Sequence, residues 1–527
     1  MTPNWESLLD EASLASVLPG EFSQFVRPVR GGLSVFLTGL PEAQQNLILM
    51  AQAALPAETV FSQRLGVLAR SSPILQKLGQ ILARDQRLPL EFRHYLRELE
   101  SLPPAVPLEV IQETLCTELG PLDRRGITLE PPAIAEASVA VVIPFLQHAT
   151  ANGDPEVHGV FKVLKPEIEQ QLENELSLLE RVGQHLDSRC AELQIPHLDY
   201  EEAFQQVHEK LLDEVQLENE QSHLEQAKLF FADEPCVRIP ALLDHCTPRV
   251  TAMERLSGDK VTSHGLNTSR RKRRLARLIA RALIAKPVFS TSDQSLFHGD
   301  PHAGNVFLTD DGQLGVLDWS LAGTLSATDR IAVVQMFLAA ITLDTDRLVS
   351  ILASLGDRER LDKERLRQVA ETSLKRVRRG QFPGMSWLIR LLDEATQSAK
   401  LRVSPDLMLC RKSLLTLEGV IAEVGERDGQ IEKTLMIQFL RRFAVEWPQR
   451  WLRTPDSREF STRLSNFDLT DTVLSYPATV TRFWTGHAFD LIESCVNRWE
   501  AKVRSDASHT IDAVPTGCEV VASNPQE

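Results

Sequence analysis

The sequence predicts an α+β fold in which a small antiparallel sheet is followed along the chain by a mostly helical region. Short apolar segments separated by turn-forming residues lie between residues 127 and 254, as expected for antiparallel strands. Apolar residues recur at helical spacing before this region and again after it. A second group of short strands, at 296–317, interrupts the helical half with a hairpin.

Composition places the chain among ordinary globular proteins. It has 527 residues, of which 43% are hydrophobic and 24% charged, and a formal net charge of −15. The negative charge disfavours general nucleic-acid binding, which depends on a basic surface. Seven scattered cysteines without a CxxC pair fit reduced thiols in the cytoplasm better than disulfides or a zinc site. We expect no signal peptide and no membrane-spanning helix, so any membrane contact is peripheral, at an inner face.

The stretch 296–323, LFHGDPHAGNVFLTDDGQLGVLDWSLAG, carries the most specific chemistry. Asp300 and Asn305 follow one short apolar segment, and a hairpin turned at Asp310-Asp311-Gly312 leads into Asp318. A nucleotide-dependent phosphotransferase needs this set: one aspartate to orient the acceptor or accept its proton, and an asparagine and a second aspartate to hold Mg²⁺. A surface hairpin with acidic turns is the alternative, and the order and spacing disfavour it.

A lysine stands alone among apolar residues in the predicted strand 159–164, GVFKVL. A buried Lys162 needs an anionic partner, whereas a lysine at a sheet edge can reach solvent. The acid-rich helix that follows offers several partners between which the sequence does not choose: Glu214, Glu218, Glu220 and Gln221. The small-residue run 133–140 lets a backbone pass close to a ligand, although alanine-rich turns are common.

Two further features lie outside the predicted sheet. A helix beginning near Ser72-Pro73 carries Lys77, Gly79 and Gln80 in its middle. A glycine inside a helix indicates a close approach, either to another helix or to a ligand. The basic cluster 270–277, RRKRRLAR, could face anionic lipid or an acidic partner, but more often such a cluster is a solvated helix end.

We divide the chain by these patterns. The predicted domains are an N-terminal helical extension (1–126), a small lobe with the alanine-rich loop (127–254), a helical lobe (255–460), C-terminal helices (461–504) and a polar, disordered tail (505–527).

In this order the elements resemble the atypical, protein-kinase-like family called ABC1, UbiB or ADCK. The resemblance covers roughly residues 60–340 and rests on the Lys77-Leu-Gly-Gln80 helix, the HGDPHAGN segment and the Ala-Glu-Ala-Ser-Val-Ala loop. It implies an α+β, protein-kinase-like bilobal fold with a small antiparallel-sheet N-lobe, a helical C-lobe and an N-terminal helical extension carrying a KxGQ motif. It also implies ATP and Mg²⁺ as cofactors.

The resemblance implies a role for each matching residue. Lys162 would contact the α- and β-phosphates, and Glu220 would pair with that lysine. Asp300 would be the catalytic-loop aspartate, with Asn305 and Asp318 as metal ligands.

The remaining nucleotide-site residues are also implied by the resemblance. The alanine-rich loop takes the place of the kinase Gly-rich loop, the hinge follows the sheet, and the KxGQ helix reaches over the active site to meet the first position of an ExD element. These positions are Ala135, Ala137 and Ser138 in the loop, Met253 and Glu254 at the hinge, Lys77 and Gln80 on the helix, and Glu214 in the ExD element. Such a covered cleft argues against protein kinase activity.

The sequence departs from the family pattern at four places. Gln216 stands at the third ExD position, Val141 where glutamine is usual, and Glu136 where alanine is usual. Asp318 is followed by Trp319-Ser320 rather than Phe-Gly, which resembles aminoglycoside- and choline-kinase-like enzymes. No residue that the chemistry requires is missing.

The resemblance implies an ATP-binding, Mg²⁺-dependent kinase-like ATPase that supports ubiquinone or other isoprenoid-lipid metabolism. Two alternatives stay open: a nucleotide-gated scaffold without catalysis, and a small-molecule phosphotransferase for which Asp318-Trp319 is the cue. The expected partners are ATP, an isoprenoid lipid or membrane surface, and a biosynthetic protein complex. The membrane contact would use the basic cluster or the late helices with Trp484, Phe489 and Trp499.

Overall fold

A computed structural model gives the fold of the chain. It describes residues 5–18, 20–83, 106–149, 155–195, 212, 215–263, 268–356, 361–425 and 430–486. The chain forms two compact units: the first comprises 1–261 and 303–322, and the second comprises 262–302 and 323–527. The finer division into domains made from the sequence stays a prediction.

The first unit begins with helices. They are α1 (Trp5–Leu8), α2 (Glu11–Val17), α3 (Val26–Gly39), α4 (Glu42–Ala53), α5 (Phe61–Arg70), α6 (Pro73–Ala83), α7 (Leu108–Leu119), α8 (Ile168–Ser188), α9 (Cys190–Leu193) and α10 (Leu217–Phe230). The amphipathic stripes of α2 to α6 meet α8 in one apolar core, which includes the fully buried Leu37, Ile74 and Leu172. The helical spacing of apolar residues after Pro107 predicts a helix over 108–119. Helix α7 spans this range and ends at Gly120.

The strands are short. They are β1 (Ile127–Leu129), β2 (Ala135–Glu136), β3 (Ala140–Gln147), β4 (Val157–Leu164), β5 (Val237–Arg238), β6 (Val250–Glu254), β7 (Gly258–Lys260), β8 (Gln294–His298), β9 (Val306–Thr309), β10 (Leu314–Val316) and β11 (Ala322–Ser326). This arrangement confirms the later hairpin and the small antiparallel sheet, except that β5 pairs in parallel with β10 in a different sheet.

The main sheet of the first unit is antiparallel, in the order β1-β3-β4-β6, with β2 paired to β3. One face packs on α7 through buried apolar side chains that include Ile111, Ile143 and Phe161. The rings of Phe145 and Phe161 stack across β3 and β4 with their centroids 3.9 Å apart. This packing fixes the register, and so sets which side chains of β4 face away from that core.

A second sheet in the same unit has the order β5-β10-β9-β7. The predicted hairpin joins β9 to β10, and Gly312 at its turn has φ +82°, a conformation that favours glycine. At Gly258 a Cβ atom would lie 2.3 Å from the carbonyl oxygen of Leu308, so only glycine permits the pairing of β7 with β9.

The second unit is mostly helical, with β8 paired to β11. Its helices are α11 (Ser269–Ala280), α12 (Lys286–Val288), α13 (Ala327–Ile341), α14 (Thr345–Ser354), α15 (Lys363–Arg378), α16 (Met385–Ala399), α17 (Pro405–Gly425), α18 (Gln430–Arg450) and α19 (Asn466–Leu474). The predicted basic cluster lies on the exposed face of α11, whose other face buries Leu275 and Ile279.

No helix in the described parts of the chain is long and apolar enough to cross a membrane. The segment 91–100, whose amphipathic pattern predicts a helix, lies outside the described residues, as do the predicted ExD residue Glu214 and the predicted tail at 505–527.

Candidate functional site

Three side chains of the first unit meet beside β4, an interior strand of the main sheet. The ammonium of Lys162, on β4, donates to both carboxylate oxygens of Glu220, at 2.9 and 2.8 Å. It also donates to Asp318 Oδ1, at 3.2 Å. The side chain of Lys162 is 12% exposed and that of Glu220 only 3%, whereas Asp318 is 41% exposed. The structure therefore provides the anionic partners that a lysine in an apolar strand requires.

Two nearby carboxylates determine the protonation state of Lys162. Burial alone favours the neutral amine, but the carboxylates of Asp318 and Glu220 outweigh burial and raise the pKa of Lys162 above its ordinary value. Lys162 is therefore a permanent cation at physiological pH. Its ammonium can bind phosphate oxygens without giving up a proton.

The packing of helix α10 determines which of its acidic residues pairs with Lys162, a choice that the sequence left open. Its buried residues Leu217, Glu220 and Leu224 share one face at helical spacing, which turns Glu220 toward β4. Glu218 is exposed on the other side. Gln221 instead donates to the backbone carbonyl oxygen of Thr247 at 2.9 Å, tying the helix to the edge of the sheet.

The residues after β10 hold Asp318 in an unusual backbone conformation. Asp318 has φ +55°, in the left-handed region that aspartate tolerates better than most residues. The next residue, Trp319, is fully buried, and its indole N–H donates to the carbonyl oxygen of Val316 at 3.2 Å. The ring of His223, on α10, lies 3.1 Å from the carbonyl oxygen of Trp319, measured from Nδ1. Trp319 thus anchors the Asp318 loop inside the first unit.

Asn305 lies at the start of β9, and its side chain is buried. The backbone carbonyl oxygen of Asn305 accepts a hydrogen bond from the backbone N–H of Leu317 at 2.8 Å, which fixes the backbone next to Asp318. Among the described residues, no group of three or more His, Cys, Asp or Glu side chains could hold a metal ion. One carboxylate and one amide nonetheless fit Mg²⁺, which binds few protein oxygens and takes its other ligands from phosphates and water. The residues present therefore fit the predicted ion.

The small-residue loop is a tight hairpin between β2 and β3. Ala135 pairs with Val142, and the N–H of Ala137 donates to the carbonyl oxygen of Ala140 at 2.8 Å. Ala135 and Ala137 are exposed, whereas Ser138 is buried. The exposed alanines leave the backbone accessible, as the nucleotide-loop prediction requires.

Glu136, one of the departures from the family pattern, has a structural partner. Its Oε1 lies 2.7 Å from Nζ of Lys165, just beyond β4, and both side chains are largely buried. Its Oε2 also accepts from the N–H of Val106 at 3.3 Å. The glutamate therefore clamps the loop onto the sheet, a contact that an alanine could not make.

The predicted hinge residues end β6. Met253 is buried and opposite Val160 in the register, while Glu254 is opposite Gly159. The Glu254 carboxylate forms an ion pair with Arg238, and its backbone N–H donates to the carbonyl oxygen of Ala241 at 2.8 Å.

Asp300 lies in the second unit, after β8. Its backbone N–H donates to Nδ1 of His298 at 3.1 Å, which shapes the turn of the HGD segment. Ser413 Oγ, on α17, donates to the carbonyl oxygen of His298 at 2.6 Å. Lys412, the preceding residue, places Nζ 3.9 Å from Asp300 Oδ2. Helix α17 thus positions this loop and adds a cation beside the predicted catalytic carboxylate.

Helix α6 carries the predicted KxGQ residues, and a buried carboxylate holds its beginning. Glu175, on α8, accepts from Ser72 Oγ at 2.6 Å and from the N–H of Ile74 at 3.3 Å. A carboxylate at this end of a helix satisfies free N–H groups and complements the helix dipole. Lys77 is half-buried on this helix, and the side chain of Gln80 lies outside the described residues.

The structure thus brings Glu220 and Asp318 into contact with Lys162. The family resemblance implied the pair with Glu220, whereas the contact with Asp318 was not predicted. The nucleotide roles of the loop, of the hinge and of Lys77, Gln80 and Glu214 stay predictions.

Sequence reasoning missed several supporting residues. Glu175 carries a detectable signal, since it is a buried residue at helical spacing with the apolar face of α8, and the half-buried His223 adjoins the buried face of α10. Lys165 and Lys412 carry none, because their partners are distant in sequence.

Comparison with known proteins identifies the domain that contains this site. Residues 98–352 match the family model described as the ABC1 atypical kinase-like domain. The chain is 26% identical over 369 residues to a protein named "Probable protein kinase UbiB" from Pseudomonas paraeruginosa, covering 66% of this chain and 65% of that protein. It is 27% identical over 297 residues to the chloroplast protein ACTIVITY OF BC1 COMPLEX KINASE 1 of Arabidopsis thaliana, covering 55% of this chain and 42% of that protein.

Among solved structures, that of Rv3197 with erythromycin from Mycobacterium tuberculosis is similar to this chain. The identity is 17% and the TM-score 0.45, with 73% of this chain and 95% of that chain covered. The chain spans slightly less than two thirds of the bacterial relatives that it matches, 66% and 65%.

The antiparallel main sheet, the Lys162–Glu220 pair and the helical second unit agree with a kinase-like α+β fold. Residues 98–352 match the ABC1 atypical kinase-like domain.

Proposed function

We propose that this protein binds ATP with Mg²⁺ and acts as a kinase-like ATPase. The observation that carries the proposal is the contact of Lys162 with Glu220 and Asp318. A lysine paired with a helix glutamate is the arrangement with which protein kinases hold ATP phosphates. The side chain of Lys162 is 12% exposed and that of Asp318 is 41% exposed. The site therefore offers a cation that can bind phosphate beside a carboxylate that can bind a metal ion.

Each side chain has a distinct task in this proposal. Lys162 binds phosphate oxygens, and Glu220 keeps the lysine charged and aimed. Asp318 and Asn305 would supply oxygen ligands to Mg²⁺, which when bound would neutralise charge on the phosphates. Asp300 orients the attacking hydroxyl or water. Positioning and charge stabilisation carry most of the rate enhancement in phosphoryl transfer, so each group matters.

The test combines binding and turnover. Lys162→Ala and Asp318→Asn should each lower ATP turnover by at least a hundredfold, the effect expected for loss of one group that stabilises developing charge, about 2.7 kcal/mol of barrier. Matched controls are Lys228→Ala, an exposed lysine on α10, and Asp310→Asn, an exposed aspartate of the hairpin turn. Unaltered turnover in both site variants would refute the assignment.

Thermal shift with MgATP and an assay of phosphate transfer distinguish the two alternative functions, a nucleotide-gated scaffold and a small-molecule phosphotransferase. Wild-type stabilisation by MgATP without turnover would identify a nucleotide-gated scaffold. Phosphate transfer to a small alcohol, unaffected by Lys77→Ala, would identify a small-molecule phosphotransferase. Trp319, the sequence cue for that second reading, is buried and bonded within its own unit. Its side chain therefore has a structural reason to be present that is independent of the substrate.

We also propose a role in ubiquinone or other isoprenoid-lipid metabolism, at the cytoplasmic face of a membrane and with a biosynthetic protein complex. The resemblance to UbiB proteins supports this pathway. The exposed basic face of α11 supports attraction to anionic lipid. Exposed tryptophans near the end of the described chain, Trp451 at 75% and Trp484 at 64%, add side chains suited to an interface.

Flotation with liposomes tests the membrane proposal. The protein should float with vesicles containing anionic phospholipid and should remain at the bottom with neutral vesicles. Charge reversal at Arg270 and Arg274, both exposed on α11, should abolish flotation. Flotation that is indifferent to lipid charge would contradict this part of the proposal.

A further inference from the structure

The helices at the beginning of the first unit surround a cavity of about 520 Å³. It lies among α2, α3, α5, α6 and α8. Its floor is buried, with Phe36 and Leu68 each 2% exposed, and its rim includes Val29, which is 37% exposed. The cavity is therefore deep but has an opening toward the surface.

The lining has one chemical character. The 19 described residues around the cavity are all apolar or glycine, and none of these has a charged, hydroxyl or amide side chain. Water in such a space would have too few hydrogen-bond partners, and a polar ligand would lose those that it has in bulk water. The occupant that this lining favours is hydrocarbon.

The volume of the cavity indicates that it can bind a small molecule. Protein interiors are packed as densely as organic crystals, and the destabilisation caused by an empty apolar cavity increases with its volume. At about 520 Å³, this space lies within the range of small-molecule sites, about 300 to 1,000 Å³. Gly79 contributes to this room, because on α6 it lines the cavity without a side chain.

We infer that this cavity is a binding site for a single hydrocarbon chain, either acyl or isoprenyl. The site is built from α2, α3, α5, α6 and α8, whereas Lys162 lies on β4, Glu220 on α10 and Asp318 in the loop after β10. The inference therefore goes beyond nucleotide binding and does not depend on it. The ligand contacts α6 through Leu78 and Gly79, which adjoin Lys77.

Fluorescence titration of the full chain with cis-parinaric acid, in the absence of nucleotide, tests the site. This probe has one long chain and becomes fluorescent in an apolar environment. Ala69 lies in the lining and is 9% exposed, so Ala69→Phe should fill the cavity and raise the Kd at least tenfold. Ala51→Phe, on the exposed side of α4, is the matched control and should leave the Kd unchanged.

A second variant guards against misfolding. Val29→Trp blocks the rim at an exposed position and should also raise the Kd at least tenfold without a loss of thermal stability. Displacement of the probe by palmitate or by farnesol then distinguishes an acyl from an isoprenyl ligand. The absence of saturable binding by the wild type, equal binding by Val29→Trp, or displacement by neither competitor would overturn the inference. Because the assay contains no ATP, its failure would leave the proposed ATPase untouched.

Discussion

Removal of the Glu220 side chain gives the sharpest test of the physical argument for the site. In Glu220→Leu, the ammonium of Lys162 loses two hydrogen bonds, of 2.9 and 2.8 Å, while remaining in a position only 12% exposed. Breaking a buried ion pair from one side costs about 3 to 5 kcal/mol, since an uncompensated charge is left behind.

The structure sets where in that range the result should fall. Asp318 Oδ1 still lies 3.2 Å from Lys162 Nζ, and its carboxylate is 41% exposed, so it compensates part of the charge. We therefore expect Glu220→Leu to lower the free energy of unfolding by about 3 kcal/mol, at the lower end of that range.

The double variant Lys162→Met, Glu220→Leu should behave differently. Both charges are then replaced by apolar groups of similar size, a change that is often neutral or stabilising. Asp318 loses its partner but can be hydrated. The double variant should unfold within about 1 kcal/mol of the wild type, and thus be more stable than Glu220→Leu, although it cannot bind phosphates through Lys162.

Urea unfolding, followed by circular dichroism and tryptophan fluorescence, measures these differences. The control is Glu218→Leu, on the exposed side of α10, with an expected change within about 0.5 kcal/mol. A double variant no more stable than Glu220→Leu would refute the reasoning, because the cost would then lie in packing and not in the unpaired charge.

Three further predictions concern the elements that support the site and the second unit. Glu175→Leu should lower the free energy of unfolding by about 3 kcal/mol because it strands the buried donors at the start of α6, whereas Glu173→Leu, exposed on the same helix, should have little effect. Trp319→Phe should cost about 1 to 2 kcal/mol in chemical denaturation through the lost indole hydrogen bond and contacts, with the 48%-exposed Trp447→Phe as the control. Burial opposes ionisation of Asp468, but hydrogen bonds and Arg458 hold its pKa below the ordinary 3.8. Its contribution to stability is therefore present above pH 3.8 and lost as the pH falls toward the lowered value, so the deficit of Asp468→Asn at pH 6 should shrink near pH 3.

The sequence by itself determined the fold class and the principal chemical groups. Strand and helix periods are local properties, so the main sheet, the 108–119 helix and the hairpin leading to Asp318 could be predicted from residue patterns. The need of Lys162 for an anion also follows locally, because burial of a lone ammonium between apolar residues is unfavourable wherever it occurs.

Only the tertiary structure decided which groups meet. The docking of α10 on the sheet turned Glu220 toward Lys162 and left Glu218 in solvent. Packing likewise gave Glu136 its partner Lys165, 29 positions away in sequence, and hid Trp319. The cavity among the first helices likewise depends on tertiary packing. Each helix carries an ordinary apolar stripe, and the empty volume depends on how five stripes fit together, which no single stripe encodes.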